Sequence, residues 1–356
     1  MKLPVAAATA IGAAATAAAS RRLRSEDDLA GEVAVVTGAS RGLGLLLATE
    51  LARRGCRLLL CARDDAELDR AAVRLRETGA EVATVACDVT REESAGQLVE
   101  TARECYGRLD ILVNNAGIIR VGPVQSTSPA DYEAAVATMA MAPVRLTLAA
   151  LPVMRAQGHG RIVTITSIGG KLSVPHLLPY SMAKFAAVGF SEGLRAELGR
   201  GPVTVTTVVP GLMRTGSHVR AEFAGRRERE FTWFSLGASL PLVSMDAARA
   251  ARQIVAGMAA RRAEVFLTPA GQVAGRLAGL APEVTAPVLH AVQKAVLPAP
   301  GGVGTAVPGR LLRPALPALV FGALTSLGRA AAARFNQLGR KPEPDASGPG
   351  TGPSPS

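Results

Sequence analysis

The chain has 356 residues, of which 48% are hydrophobic, and a formal net charge of +11. Its basic residues are dispersed, aromatic residues make up only 3% of the chain and no groove-reading motif occurs, so nucleic acid is excluded as a partner. The four cysteines and four histidines show no metal-like spacing, so no metal site is predicted, and the cysteines are expected to be reduced thiols of an intracellular protein.

The first 29 residues form an alanine-rich segment. Residues 5–20 carry no charge, and Arg21, Arg22 and Arg24 follow them. This stretch is shorter than the roughly 20 residues that span a bilayer. Basic residues on the cytoplasmic side of a membrane helix follow the positive-inside rule, which makes the segment a candidate membrane anchor of a cytoplasmic enzyme. A soluble alanine-rich helix and a cleaved signal peptide are the alternatives.

Strand-like and helix-like runs alternate along residues 30–268. The predicted strands lie at 33–37, 57–62, 81–86, 109–113, 161–166, 203–209 and 263–267. The predicted helices include 65–78, 92–106, 131–157, 179–199 and 245–260. This alternation predicts an α/β fold, a doubly wound Rossmann domain whose parallel sheet is covered on both faces. Ligands of such domains gather at the carboxyl ends of the strands.

A glycine-rich turn follows the first predicted strand and leads into a helical pattern. Its sequence is Gly38-Ala39-Ser40-Arg41-Gly42-Leu43-Gly44. The three glycines allow the backbone to turn tightly and to approach a pyrophosphate, whose charge is met by the unpaired N–H groups at the start of the helix. The segment therefore predicts a dinucleotide site.

Tyr180 and Lys184 lie four residues apart in a predicted helix, so their side chains share one face. A free phenol has a pKa of roughly 10. A nearby ammonium favours the phenolate and brings the phenol closer to a pH at which it can pass a proton to a carbonyl. Ser167 could hold the same oxygen, which makes these three residues a candidate catalytic group.

Taken together, these motifs resemble the short-chain dehydrogenase/reductase family. The resemblance covers residues 30–268 and rests on TGASRGLG at 37–44, NNAG at 114–117, Ser167, YxxxK at 180–184 and Pro210-Gly211. It implies hydride transfer between a nicotinamide cofactor and a carbonyl or secondary alcohol, with Tyr180 as the acid/base and Ser167 and Lys184 as its catalytic partners. The cofactor contacts that it implies are Gly38, Ser40, Arg41, Gly42, Leu43, Gly44, Arg63, Asp88, Val89, Asn115, Gly117, Tyr180, Lys184, Pro210, Gly211 and Thr215.

Charge at the end of the second strand indicates NADP(H) rather than NAD(H). Residues 60–63 lack the carboxylate that usually bonds the ribose hydroxyls in enzymes specific for NAD. Arg41 and Arg63 can instead clamp a 2′-phosphate. In the alternative interpretation, both arginines are solvated surface charges and Asp64 or Asp65 takes the ribose.

Residue 139 departs from the family pattern. Members usually carry an Asn there, in a motif like VNxxGP, whereas this chain has Met139. The resemblance implies that the Asn holds, largely through its backbone, a water that resupplies protons to the lysine. The alternative function is therefore a catalytically weak NADP(H)-binding scaffold or sensor.

The segment after Pro210-Gly211 is rich in aromatic residues, where the family keeps its substrate loop. Phe223, Phe231, Trp233 and Phe234 lie within a dozen residues. A lid of this kind suits a lipophilic carbonyl or alcohol, while packing against the domain core is the alternative. The resemblance also implies a homodimer or tetramer that pairs through the helices at 131–157 and 179–199.

Residues 269–340 are predicted to form a helical C-terminal extension. Helical patterns at 272–280 and 287–296 precede a Pro/Gly stretch at 298–314 and an apolar run at 316–327. The apolar run is too short to span a membrane alone, so it should pack on the domain or dip into a membrane surface. Residues 341–356 are predicted to be a disordered tail.

Overall fold

The computed structural model describes residues 29–301 and 304–338. The candidate membrane anchor, apart from its last residue, and the predicted disordered tail lie outside the described residues, so both stay predictions.

A seven-stranded parallel sheet forms the centre of the molecule. Its strands are β1 (Val33–Thr37), β2 (Arg57–Ala62), β3 (Val82–Ala86), β4 (Ile111–Asn114), β5 (Gly160–Ile165), β6 (Val203–Val209) and β7 (Glu264–Phe266). They lie in the order β7-β6-β5-β4-β1-β2-β3. The strand order reverses at β1, as in a doubly wound Rossmann fold. The predicted α/β class is therefore confirmed.

Helices cover both faces of this sheet and continue into the C-terminal extension. Their bounds are α1 (Gly42–Arg53), α2 (Asp65–Arg76), α3 (Glu93–Tyr106), α4 (Pro129–Val136), α5 (Ala142–Ala156), α6 (Leu178–Leu198), α7 (Arg227–Gly237), α8 (Ala247–Ala259), α9 (Pro269–Leu280), α10 (Pro282–Val296), α11 (Ala318–Leu324) and α12 (Ser326–Arg334). A π-helical turn, Ala137–Met141, joins α4 to α5.

Alternate residues of β1 belong to two different apolar clusters. Ala34 and Val36 pack with α1, α2 and α8 on one face, and Val33 and Val35 pack with α3 and α5 on the other. Every residue of β1 is buried. Strands that are buried on both faces need near-continuous apolar sequence, which is why short runs of Val, Leu and Ile predicted them well.

Part of the C-terminal extension packs against the Rossmann half of the chain. Val307–Pro308 pairs antiparallel with Glu222–Phe223, which in turn pairs with Arg120–Val121. Phe321 of α11 joins a third apolar cluster with Phe223 and Phe231. This part of the extension therefore shares a core with the Rossmann half.

One helical stretch of the described residues, 129–156, is long and apolar enough to cross a membrane, judged by length and composition alone. Half of its most apolar window is buried inside the protein, which is typical of a core helix.

Candidate active site

A cleft of about 690 Å³ opens at the carboxyl ends of the strands. Parallel strands place their carboxyl ends at one edge, so residues that are far apart in sequence meet there. Every predicted site residue borders this cleft: Gly38, Ser40, Arg41, Gly42, Leu43, Gly44, Arg63, Asp88, Val89, Asn115, Gly117, Ser167, Tyr180, Lys184, Pro210, Gly211 and Thr215.

The glycine turn, Gly38–Gly44, joins β1 to α1 in a conformation that side chains oppose. Gly38 and Gly42 have φ values of +64° and +58°, which L-residues rarely adopt. A Cβ on Gly44 would overlap the carbonyl oxygen of Gly38 and lie 2.6 Å from Asn115 Nδ2. The turn therefore requires glycine at these three positions.

Asn115 braces the turn from the end of β4. Its Nδ2 donates to the carbonyl oxygens of Thr37, at 2.8 Å, and Gly38, at 3.2 Å. The neighbouring Asn114 donates to Thr147 Oγ1 and ties β4 to α5. The two Asn115 hydrogen bonds fix the glycine turn, which a dinucleotide would approach.

Ser167 follows β5 and caps the short 3₁₀ turn Ile168–Gly170. Its Oγ accepts the Gly169 N–H at 3.0 Å, and its side chain lowers the pKa of the neighbouring Tyr180 phenol. A Cβ on Gly169 would lie 3.2 Å from the Tyr180 ring, so glycine at this position lets the ring approach the serine.

Tyr180 and Lys184 occupy one face of α6, as their spacing predicts. Lys184 Nζ lies 5.7 Å from the centre of the Tyr180 ring and donates to the carbonyl oxygen of Ile165 at 2.7 Å. Burial lowers the pKa of Lys184 to about 8. Burial also raises the pKa of Tyr180, and the smaller effect of the Ser167 side chain lowers it. This direction is opposite to the one expected from a neighbouring cation, because burial disfavours the charged phenolate.

We expect the buried ammonium of Lys184 to make the free energy of unfolding depend on pH. Its folded-state pKa of about 8 lies below the ordinary 10.5, so the native state loses this proton first and stability rises with pH between these values. Lys184→Met removes that contribution. From pH 7 to pH 10, the free energy of unfolding of the wild type should gain about 2.5 kcal/mol relative to the variant. Urea unfolding at both pH values measures this difference; a constant difference would contradict the buried charge.

The guanidinium of Arg41 is already paired. Glu67 of α2, which is buried, forms ion pairs with both Arg41 and Arg220 at the rim of the cleft. Arg63 is exposed, and Asp64 caps α2 by accepting the Glu67 N–H at 2.9 Å. No sequence pattern indicated Glu67, because a carboxylate in the first turn of a helix is ordinarily a solvated charge.

Met139 lies in the π-helical turn between α4 and α5 and is 1% exposed. Its side chain packs against Ala183 and Tyr180 and lies 3.4 Å from the position of a Cβ on Gly117. The place where the family carries an amide therefore holds a thioether in an apolar cluster.

The predicted aromatic lid does not border the cleft. Phe223, Phe231 and Phe234 are buried, and Trp233 packs partly buried beside them. Phe231 and Phe321 have ring centroids 5.6 Å apart. The structure therefore shows the alternative interpretation, in which these aromatic side chains pack in a core. Phe321 of α11 is a partner in that core that the sequence did not indicate. Among the described residues that do line the cleft near Tyr180 are Ile118, Ile119, Ala135, Met139 and Pro179.

One further residue of the cleft, Gln337, was not predicted from the sequence. Gln337, which follows α12, borders the cleft between Gly42 and Thr215. An Asn just beyond an alanine-rich helix is a helix-stop signal, but nothing in the sequence indicates where that helix docks.

The family model for short chain dehydrogenases matches residues 32–223. The chain therefore belongs to the short-chain dehydrogenase family, whose members are oxidoreductases that use a nicotinamide cofactor. The match ends at Phe223, which packs with Phe321 of the C-terminal extension in the third apolar cluster. The extension itself lies outside the matched residues.

Three known proteins show the range of this similarity. A protein of Streptomyces coelicolor, provisionally named a ketoacyl reductase, is 40% identical over 186 residues, which are 52% of this chain and 71% of the relative. A short-chain dehydrogenase/reductase of Burkholderia phymatum, solved with NAD, is 27% identical with a TM-score of 0.64 and covers 72% of this chain and 96% of its own. A variant of the actinorhodin polyketide ketoreductase, solved with NADPH, is 32% identical with a TM-score of 0.58. The aligned region covers 66% of this chain and 95% of the ketoreductase.

Proposed function

We propose that this protein is an NADP(H)-dependent oxidoreductase that interconverts a carbonyl and a secondary alcohol of a lipophilic substrate, with Tyr180 as the acid/base. The observation that carries the proposal is the meeting of Ser167, Tyr180 and Lys184 with the glycine turn around one cleft. A cofactor cradle and a proton donor in one space are the two requirements of hydride transfer to a carbonyl.

The residues present fit a dinucleotide. The glycine turn has the tight backbone that a pyrophosphate site needs: Gly38 and Gly42 have φ values of +64° and +58°, and a Cβ on Gly44 would overlap the Gly38 carbonyl. The turn opens α1, whose N-terminal dipole favours an anion. When bound, the cofactor supplies or accepts the hydride.

The three polar residues have separate roles in moving the proton. Ser167 borders the cleft beside the Tyr180 phenol and can donate to the substrate oxygen, where charge develops. Tyr180 gives its proton to that oxygen. Lys184, held by the Ile165 carbonyl, supplies the positive charge that favours the phenolate left behind.

The distribution of charge supports NADP(H) over NAD(H). Arg63 is exposed at the end of β2, beside the cleft, and no carboxylate occupies residues 60–63. Arg41 and Arg220 share one carboxylate, Glu67, so this cluster keeps one net positive charge. An exposed guanidinium and a cationic cluster can together bind a 2′-phosphate.

The substrate end of the cleft supports a lipophilic carbonyl compound. Ile118, Ile119 and Met139 form an apolar wall close to Tyr180, and apolar walls with few polar groups are typical of small-molecule sites. The relatives named for ketoacyl and polyketide ketone reduction are consistent with this class. NADPH as cofactor favours the direction of reduction.

Pairing with a second copy is proposed through α4–α5 and α6. Met141, Leu148, Met182 and Phe185 expose large apolar side chains on these helices. A homodimer or tetramer would bury them.

A weakly active NADP(H)-binding scaffold is the second candidate, and Met139 favours it. The side chain offers no polar atom of the kind that an Asn would offer, and it fills the space beside Tyr180.

The test is a screen of ketones of rising chain length for NADPH oxidation, with NADH in parallel. We expect turnover that increases with apolar chain length, and a preference for NADPH of about tenfold or more from the lost phosphate contacts. Absorbance at the reduced nicotinamide band measures the rate. Equal use of both cofactors would remove the NADP(H) assignment.

Met139→Asn serves as the comparison in the same screen. A functioning enzyme should change by only a few-fold. A protein that binds NADPH without turnover and gains activity at least about a hundredfold on this substitution would be the scaffold, since general acid–base steps contribute about 10²–10⁴-fold.

A further inference from the structure

The C-terminal turn, Phe335–Gln337, lies directly against the glycine turn. The Phe335 carbonyl accepts the Gly42 N–H at 2.9 Å. Asn336 Nδ2 donates to the Ser40 carbonyl at 2.8 Å. Two segments that are almost 300 residues apart in the chain are therefore joined where a pyrophosphate would approach.

The same turn also contacts the opposite wall of the cleft. Gln337 Nε2 donates to the Thr215 carbonyl at 3.2 Å, and Arg220 Nε donates to the Gln337 carbonyl at 2.8 Å. Gly216 lets α12 come close, because a Cβ there would lie 2.6 Å from the Ala332 nitrogen. The C-terminal turn therefore bridges the glycine turn and the loop after β6.

The conformation of the C-terminal turn is locally determined. Asn336 has φ +58°, and the Gln337 N–H bonds the Ala332 carbonyl at 3.0 Å. This is the Schellman arrangement that ends a helix, in which Asn is second only to Gly at the left-handed position. Phe335 is buried beside Ala247 and Leu46, which anchors the turn to α8 and α1.

Gln337 carries an unsatisfied acceptor at the cleft. The residue is 4% exposed, and its Oε1 has no hydrogen-bond partner among the described residues. The orientation of its amide follows from the Thr215 carbonyl, which can only accept and so must face Nε2. A buried carbonyl oxygen without a donor is costly and calls for a partner that the protein does not supply.

We propose that the C-terminal turn is part of the dinucleotide site. Gln337 binds the dinucleotide through Oε1, which accepts from a hydroxyl or amide group of the ligand, and Asn336 is a positioning residue for the glycine turn. Opening of this turn then speeds the release of the dinucleotide. The inference rests on the proposed function, since it concerns the same ligand.

The turn forms a wall of the cleft and leaves its interior open. The volume of about 690 Å³ is present with the turn in place, and sites for small molecules and cofactors measure about 300–1,000 Å³. Within the glycine turn, the Phe335 carbonyl accepts a hydrogen bond from the Gly42 N–H only. The N–H groups that follow, beginning with Leu43, are the ones that would meet the pyrophosphate.

The experiment measures NADPH binding by full-length protein through nicotinamide fluorescence, at equilibrium and by stopped flow. Gln337→Ala should raise Kd about tenfold, mainly through faster dissociation, because it removes one buried hydrogen bond. Asn336→Gly keeps the left-handed conformation, loses the side-chain bonds and should also speed dissociation. Gln97→Ala, at an exposed position of α3, is the matched control and should bind like the wild type.

A second readout needs no variant. Hydrogen exchange at the amides of Phe335–Gln337 in the wild type should slow at least about tenfold when NADPH is added, because the bound ligand opposes opening of the turn. Unchanged exchange would overturn the proposal even if Gln337→Ala failed to fold.

The outcomes separate this inference from the proposed function. Wild type that binds neither NADPH nor NADH would overturn both. Wild type that binds NADPH, with Gln337→Ala equal to it in Kd and dissociation rate, would overturn only the role of the C-terminal turn. Tighter binding by Gln337→Ala would also overturn it, by showing that the turn obstructs the site.

Discussion

Tyr180→Phe should lower turnover by about 10²–10⁴-fold and leave NADPH binding within about threefold of the wild type. The phenol hydroxyl, which borders the same cleft as Ser167, is the proton donor that the proposed reaction needs. The phenyl ring would keep its packing against Met139 and Ala183. Carbonyl reduction and cofactor fluorescence, measured on the same preparation, separate the lost chemistry from lost binding.

Tyr106→Phe is the matched control. Its hydroxyl donates to the Leu58 carbonyl at 3.0 Å, and Tyr106 does not border the cleft. Loss of that bond should cost about 1 kcal/mol of stability and no turnover. Full activity in Tyr180→Phe would disprove the acid/base assignment.

Gly44→Ala should have the largest effect on cofactor binding. The new Cβ would overlap the Gly38 carbonyl and crowd Asn115 Nδ2 at 2.6 Å. The glycine turn must therefore move. We expect NADPH affinity to fall at least about a hundredfold and the free energy of unfolding to drop by about 3 kcal/mol. Fluorescence titration and urea unfolding measure the two effects.

Gly96→Ala tests whether the effect comes from crowding or from glycine replacement in general. Gly96 is exposed in α3, and no atom lies within 4 Å of a Cβ built there. Alanine favours the helix, so this variant should gain about 0.5–1 kcal/mol and bind NADPH normally. Equal losses in both variants would show that the glycine turn is not a close-contact cradle.

The fold was predictable from the sequence because its signals are local. The run of apolar residues at 33–37 and the Gly-rich segment after it need only neighbouring residues to be interpreted. Their meeting with Ser167 and Tyr180 follows from one rule, that parallel strands end at the same edge. These predictions used periodicity and topology, which a single sequence contains.

What the sequence could not provide was the partner of each side chain. The aromatic residues after Pro210-Gly211 indicated a lid, but an apolar side chain does not indicate what it packs on, and Phe321 lies about 90 residues further along. Glu67 and Gln337 were missed for the same reason. The spacing of Tyr180 and Lys184 indicated a lowered phenol pKa, but burial raises the pKa of Tyr180, and burial becomes known only with the fold.

The contact between Asn336 and Ser40 spans 296 positions of sequence. Contacts of such separation form late, because a long loop must close before they stabilise anything. During synthesis, the glycine turn is therefore made 296 positions before the segment that contacts it. If this segment is part of the dinucleotide site, we expect a nascent chain to hold the dinucleotide loosely until Phe335–Gln337 has folded against the glycine turn.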